Sequence, residues 1–173
     1  GPEAGAWRAR GLSILRRELD EQVLGDGGHY ERSPMYHAIV LEDVLDLLQL
    51  SRRYPGTFEQ GDVAALADVA GRMLRWLRIM THPDGGFALF NDAAFGIAPE
   101  PVALHAYARS LGIEADESPL REIEVLPDSG YVRLEAGPAV LIADVGHIGP
   151  DHLPGHAHAD TLSFELSLHG HRM

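Results

Sequence analysis

The chain contains no cysteine. That absence excludes disulfides, thiolate nucleophiles and cysteine-ligated zinc, and leaves the redox compartment open. Long apolar runs are missing as well: nothing approaches the roughly 18 residues that a membrane-spanning helix requires. The first residues show neither the basic region nor the apolar core of a signal peptide. Positive charge is scarce, with 14 Lys and Arg against 26 Asp and Glu. The resulting net charge of -12 argues against nucleic acid or an anionic membrane as partner. An acidic polysaccharide stays admissible, because a local basic cleft can outweigh the global sign. What remains, 45% hydrophobic and 23% charged residues, is ordinary for a globular protein, and 173 residues allow one domain or one and a fraction.

The first two-thirds read as helices. Leu12, Leu15, Leu19 and Val23 step by three and four, which predicts an amphipathic helix over residues 7–24, stopped by Gly25-Asp26-Gly27-Gly28. A polar and aromatic loop follows, His29-Tyr30-Glu31-Arg32-Ser33-Pro34-Met35-Tyr36-His37. Ser33 is placed to cap a second helix over residues 34–53, with Pro34 in its first turn. Its stripe is Val40, Val44, Leu47 and Leu48, widened by Leu41 and Leu45. A third helix is expected over residues 62–81, capped by Asp62 and burying Leu66, Ala70, Met73, Leu74 and Leu77. It ends in a second Asp84-Gly85-Gly86 segment. The repeated Asp-Gly-Gly after a helix suggests stacked helical hairpins whose loops gather at one end. A fourth helix over residues 100–111 completes the set.

Near residues 114–119 the period changes from helical to two. Residues 120–126, 130–135, 139–144 and 162–168 read as strands separated by turn residues. The chain therefore divides into a helical part, 1–116, and the start of an antiparallel β-domain, 117–173. A single sheet with one apolar face needs a covering layer. The natural hairpin partner of the last strand is expected after Met173, so the chain reads as part of a longer protein.

The densest chemistry lies just before that last strand. Asp151, His152, His156, His158 and Asp160 fall within ten residues. If the strand has begun there, His156, His158 and Asp160 share one face. Two imidazoles and a carboxylate suit a metal, a proton shuttle or both, while the plain alternative is a solvated polar loop. Asp160 is placed either to hold an imidazole tautomer or to cap the turn into the strand.

Three segments together, the Asp26–His37 loop, the His82–Asp92 loop and Gly155-His156-Ala157-His158-Ala159-Asp160, resemble the heparinase II/III family of polysaccharide lyases, which includes alginate and oligoalginate lyases. The resemblance implies an (α/α) toroid followed by an antiparallel β-sandwich, here incomplete, with the active site between them. It implies β-elimination on uronic-acid glycans: a base takes the C5 proton, the C4 oxygen leaves, and an acid protonates it. Tyr36 matches the family's catalytic tyrosine, acid to the leaving group and in syn elimination also base. His156 matches the catalytic histidine, as base or substrate-positioning group. His158 matches a histidine that ligates a structural zinc in some members, with the other ligands expected beyond Met173. His29, Glu31 and Arg32 are candidates for orienting the site or binding substrate, with a structural ion pair or a cap of the following helix as the equal alternative for Glu31 and Arg32. Arg32 and His29 are near enough in sequence to lower the tyrosine pKa. His37, His82 and His105 read as structural.

The chain departs from the pattern in one respect: nothing matches the Asn-His segment that neutralises the uronate carboxylate. The implied partner is an acidic polysaccharide or oligosaccharide, and the implied location periplasmic or extracellular. Two alternatives stand beside the lyase. One is a non-catalytic glycan-binding or polysaccharide-biosynthesis protein on the same scaffold; the other is a metal-dependent enzyme ligated by His156, His158 and Asp160.

Overall fold

The computed structural model describes residues 1–148 and 154–173, so Asp151 and His152 lie outside the described residues. Four helices come first: α1 (Pro2–Gln22), α2 (Pro34–Arg53), α3 (Gln60–Ile79) and α4 (Pro101–Ser110). Five strands follow: β1 (Ile123–Leu126), β2 (Tyr131–Ala136), β3 (Ala139–Asp144), β4 (Phe164–Leu168) and β5 (His171–Arg172). The helical-then-β order is the expected one. α2 has the expected bounds, with Pro34 in the first turn where its missing N–H leaves no bond unmade. α3 starts earlier than expected. Glu59 caps it and forms a reciprocal capping box with Asp62, which is therefore the third helical residue and not the cap.

The helical core lies between α2 and α3. Leu41 and Leu45 meet Leu66, Ala70, Met73, Leu74 and Leu77, all sealed from solvent, and Leu104 and Ala108 of α4 close one side. Burying a leucine of this kind contributes about 1.5–3 kcal/mol. α1 is attached more lightly: Leu12, Leu15 and Leu19 are only half-buried, and Arg16 reaches Asp62 at 2.7 Å.

The two Asp-Gly-Gly segments fold alike, as the repeat suggested. Each follows a helix and is closed by an isolated antiparallel bridge, Val23 with His29 and Thr81 with Phe87. In each the aspartate Oδ1 accepts the second glycine's N–H at 3.0 Å, Gly28 in one and Gly86 in the other. Gly27 and Gly85 sit at φ 91° and 89°, a conformation a side chain resists. The other aspartate oxygen turns to the sheet. Asp26 Oδ2 accepts from the N–H of Asp128 and Ser129 at 2.9 and 2.7 Å, and Asp84 Oδ2 accepts from Arg172 Nε at 3.1 Å. The loops thus gather at one end, and the sheet rests on them.

The sheet is a sequential antiparallel meander, β1 to β5 in chain order. Its inner face places Leu126, Tyr131 and Ile142 on Trp76, Ile79, Met80 and Phe90, a second core distinct from the first. The outer face runs through the paired residues Ile123 and Leu134, Leu141 and Leu166, and Ala143 and Phe164. Ile123, Leu134 and Phe164 are exposed, an apolar face of the kind that the second layer of a sandwich covers.

β4 differs from expectation in three ways. It begins at Phe164, because Leu162 adopts a left-handed conformation (φ 71°) and ends a turn. Its apolar residues face outward, while Ser167 is fully buried and Glu165 points in toward His82. Its hairpin partner is already present as β5, after a turn at His169 and Gly170 that both hold positive φ. His156, His158 and Asp160 therefore precede the strand and share no strand face; His156 ends a single 3-10 turn, Pro154–His156.

Candidate functional site

The first turn of α2 carries Tyr36, and the 3-10 turn between β3 and β4 carries His156. The two rings stack at 4.4 Å between centroids with their planes 23° apart. His156 Nδ1 lies 2.6 Å from Glu31 Oε2, and the Tyr36 hydroxyl donates to Asp92 Oδ2 at 3.3 Å. A carboxylate only accepts, so Nδ1 must carry the proton in this pair. A neutral His156 then has its lone pair on Nε2, which no other group engages among the described residues. Glu31, not Asp160, is the residue that fixes the imidazole tautomer. Asp160 instead accepts the Asn91 N–H through Oδ2 at 2.9 Å.

The phenol is not primed as a base. Partial burial, then Asp92 and Glu31, push the Tyr36 pKa above its ordinary value. The expectation that Arg32 and His29 lower it fails for two reasons. Arg32 has a left-handed backbone (φ 62°) and turns its guanidinium to the His147 carbonyl oxygen on the sheet side. His29 is 3% exposed, behind the Tyr36 loop, where its N–H meets His37 Nδ1 at 3.3 Å and burial lowers its pKa to about 4. The structure thus brings Tyr36, His156 and Glu31 together, and sets Arg32 and His29 in supporting positions. His37 is buried as a structural histidine, donating through Nε2 to the Met73 carbonyl at 2.9 Å.

Asn91 received no role from the sequence. It is the chain's only asparagine, is 2% exposed, and with Asp92 forms two consecutive non-glycine residues at positive φ, 50° and 62°. Its amide donates to the Tyr131 hydroxyl at 3.0 Å, and its Oδ1 accepts the His158 N–H at 3.1 Å. The Tyr131 hydroxyl in turn donates a hydrogen bond to the Arg32 carbonyl oxygen at 2.7 Å. One asparagine therefore joins the tyrosine loop, the histidine loop and β2, and its strained neighbour Asp92 meets Tyr36. Strain of this kind concentrates at functional sites. The Phe90-Asn91-Asp92 segment and the rarity of Asn were the available signals.

The His158 ring is exposed. Among the described residues no three His, Asp or Glu side chains converge on a point that could hold a metal ion. These residues do not by themselves fit a zinc, and His158 is at most one ligand of a set completed elsewhere. One cavity lies away from the Tyr36–His156 pair, lined by residues of α3, α4, the linker over residues 111–122 and β2.

Comparison with known proteins agrees with this architecture. A profile described as heparinase II/III N-terminus matches residues 2–106, and one described as heparinase II/III-like, C-terminal, matches residues 118–173. The heparin-sulfate lyase of Bacteroides stercoris is 31% identical over 91 residues, 53% of this chain and 13% of the relative. FtsZ-localized protein C of Caulobacter vibrioides is 29% identical over 163 residues, 90% of this chain and 25% of the relative. The crystal structure of heparan sulfate lyase HepC from Pedobacter heparinus superposes with a TM-score of 0.74 at 21% identity, over 98% of this chain and 28% of that one. A crystal structure of heparinase III superposes with a TM-score of 0.76 at 20% identity, over 98% and 30%. These likenesses show the fold, toroid helices followed by a sandwich sheet, and this chain spans between about an eighth and a third of the length of each protein compared. With 2–106 matched by one profile and 118–173 by its C-terminal counterpart, the chain belongs to the heparinase II/III family.

Proposed function

We propose that the protein to which this chain belongs is a polysaccharide lyase that cleaves a uronic-acid glycan by β-elimination. The observation that carries the reading is the stacked Tyr36–His156 pair with Nδ1 of the imidazole held by Glu31. His156 Nε2 takes the C5 proton, the electrons of that C–H bond form the C4–C5 double bond, and the C4–O bond breaks. The departing oxygen takes the proton of the Tyr36 hydroxyl. The products are an unsaturated uronate end and a free hydroxyl end, and proton exchange with water restores both side chains. The Tyr36 phenol enters the reaction protonated, as the acid half of this step requires, and the carboxylates that raise its pKa oppose its use as the base. Glu31 fixes the tautomer, while Arg32 and His29 support the loop from behind. The group that neutralises the uronate carboxylate is not among the residues matched here.

Assay of the full-length protein for absorbance of the unsaturated product, against several uronic polymers, tests this. Product formation that disappears in Tyr36→Phe and His156→Ala is expected. No product from any polymer, or undiminished product in both variants, overturns the reading.

A second reading has its own support. The match to FtsZ-localized protein C covers far more of this chain than the match to the Bacteroides lyase. The scaffold therefore also belongs to a protein whose name carries no lyase, and a glycan-binding role without elimination fits the same residues. Glycan binding by the full-length protein without product formation selects it.

A further inference from the structure

We propose that the cavity between the α3–α4 junction, the linker and β2 is a second binding site, for a carboxylate-bearing sugar unit. It has a volume of about 520 Å³, a size that suits a small ligand, and neither Tyr36 nor His156 lines it. Arg133 of β2 lines it from below, 6% exposed. Arg133 Nη1 donates to the carbonyls of Ile79 and Thr81 at 3.2 and 2.8 Å, while its buried Nε has no partner. Arg78 grips the linker through the carbonyl oxygens of Asp116 and Ser118, at 2.7 and 2.8 Å, neutral acceptors that leave its charge in place. Arg109 is held only loosely, 3.9 Å from Glu117 with its side chain 59% exposed.

Two acids share the lining: Asp116, whose carboxylate reaches Arg75 at 3.3 Å, and Glu117, 3.9 Å from Arg109; Glu135, beside the cavity, meets Arg133 Nη2 at 3.3 Å. For His105, half-buried in the lining, burial first, then Arg109 and Arg78, hold the pKa below the ordinary value against an opposing pull from Glu117. In a chain of net charge -12, three guanidinium groups against two carboxylates leave this lining with an excess of positive charge. Guanidinium matches a carboxylate through paired N–H groups, and Pro101, Val102 and Leu120 supply an apolar wall for the flat side of a ring. The preference for an oxyanion rests on these residues alone. The choice of a sugar as its carrier rests on the lyase reading.

A heteronuclear NMR titration of the full-length protein with glucuronate, glucose and inorganic sulfate tests the site without requiring elimination. Glucuronate is expected to give saturable shifts at Val102, His105 and Leu120, with sulfate competing and glucose giving none. Arg109→Glu, an exposed substitution that the fold tolerates, is expected to weaken glucuronate binding about tenfold or more, the loss of one charge-assisted contact. Equal binding of glucose, sulfate binding without glucuronate, unchanged affinity in Arg109→Glu, or no saturable shift in the cavity overturns the proposal. Any of these leaves the lyase reading standing, and a protein that eliminates nothing leaves this site standing.

Discussion

Glu31 Oε2 and His156 Nδ1 lie 2.6 Å apart although 125 positions separate them in sequence. The contact joins the helical half to the sheet half at the same point where the Tyr36 ring stacks on the imidazole. Replacing the carboxylate by an amide lets a side-chain N–H face Nδ1 and impose the other tautomer, which removes the lone pair from Nε2. In the full-length protein Glu31→Gln is therefore expected to lower kcat roughly 10²-fold or more with a smaller change in KM. Tyr36→Phe, which removes the acid, is expected to cost roughly 10²–10⁴-fold. Initial rates of unsaturated-product formation, with circular dichroism to verify folding, measure both. A Glu31→Gln enzyme with wild-type kcat removes Glu31 from the mechanism.

Asn91 combines a left-handed backbone with two side-chain hydrogen bonds, to Tyr131 and to the His158 N–H. Asn91→Ala loses both bonds and puts a strained residue at positive φ, so a loss of about 2–4 kcal/mol is expected in urea denaturation. Asn91→Gly loses the bonds but relieves the backbone, and is expected to recover about 1 kcal/mol of that. Equal losses in the two variants count against the backbone contribution.

Acidification strikes the buried histidines. Burial lowers His29 to about 4 and His37 to about 3, from an ordinary 6.5. His37 has no room for a second proton, because its Nδ1 already faces the His29 N–H. The unfolded chain binds these protons and the folded chain does not. Their contribution is therefore complete above pH 6.5 and is lost as the pH falls through the window toward 4 and then 3. Urea midpoints measured between pH 7 and 4.5 are expected to fall. His37→Gln, whose amide keeps one acceptor and one donor, is expected to flatten the slope by about 1.4 kcal/mol per pH unit.

The paired Asp-Gly-Gly turns share a backbone but not their tolerance. A methyl group on Gly28 meets Trp76 Nε1 at 2.6 Å and Ser129 Cβ at 2.9 Å, wedging apart the buried Trp76–Ser129 hydrogen bond. On Gly86 it meets only the ends of Phe95 and Arg172, at 3.0 and 3.1 Å. Gly28→Ala is expected to cost about 2–4 kcal/mol, and Gly86→Ala less than about 1 kcal/mol, by thermal or urea unfolding. Comparable losses indicate that the second turn is held as rigidly as the first.

The linear pattern determined a good deal. Apolar spacing located α2, α3 and β3 and named most of the helical core, because a side chain's face on a helix or strand follows directly from its position along the chain. The doubled Asp-Gly-Gly announced a repeated turn, since only glycine holds the conformation that each needs. The motifs also pointed to Tyr36 and His156. Only the tertiary structure decided the partnerships. It gave Glu31 to His156 and placed Asn91 where the tyrosine loop, the histidine loop and β2 meet. It turned Arg32 away from Tyr36 and buried His29. It also set the polar face of β4 inward, because that face meets His82 and Arg172 while the apolar one is open to a further layer. Hydrogen bonds and field effects act through a few ångströms of space, and which groups come that close is settled by packing, not by order along the chain.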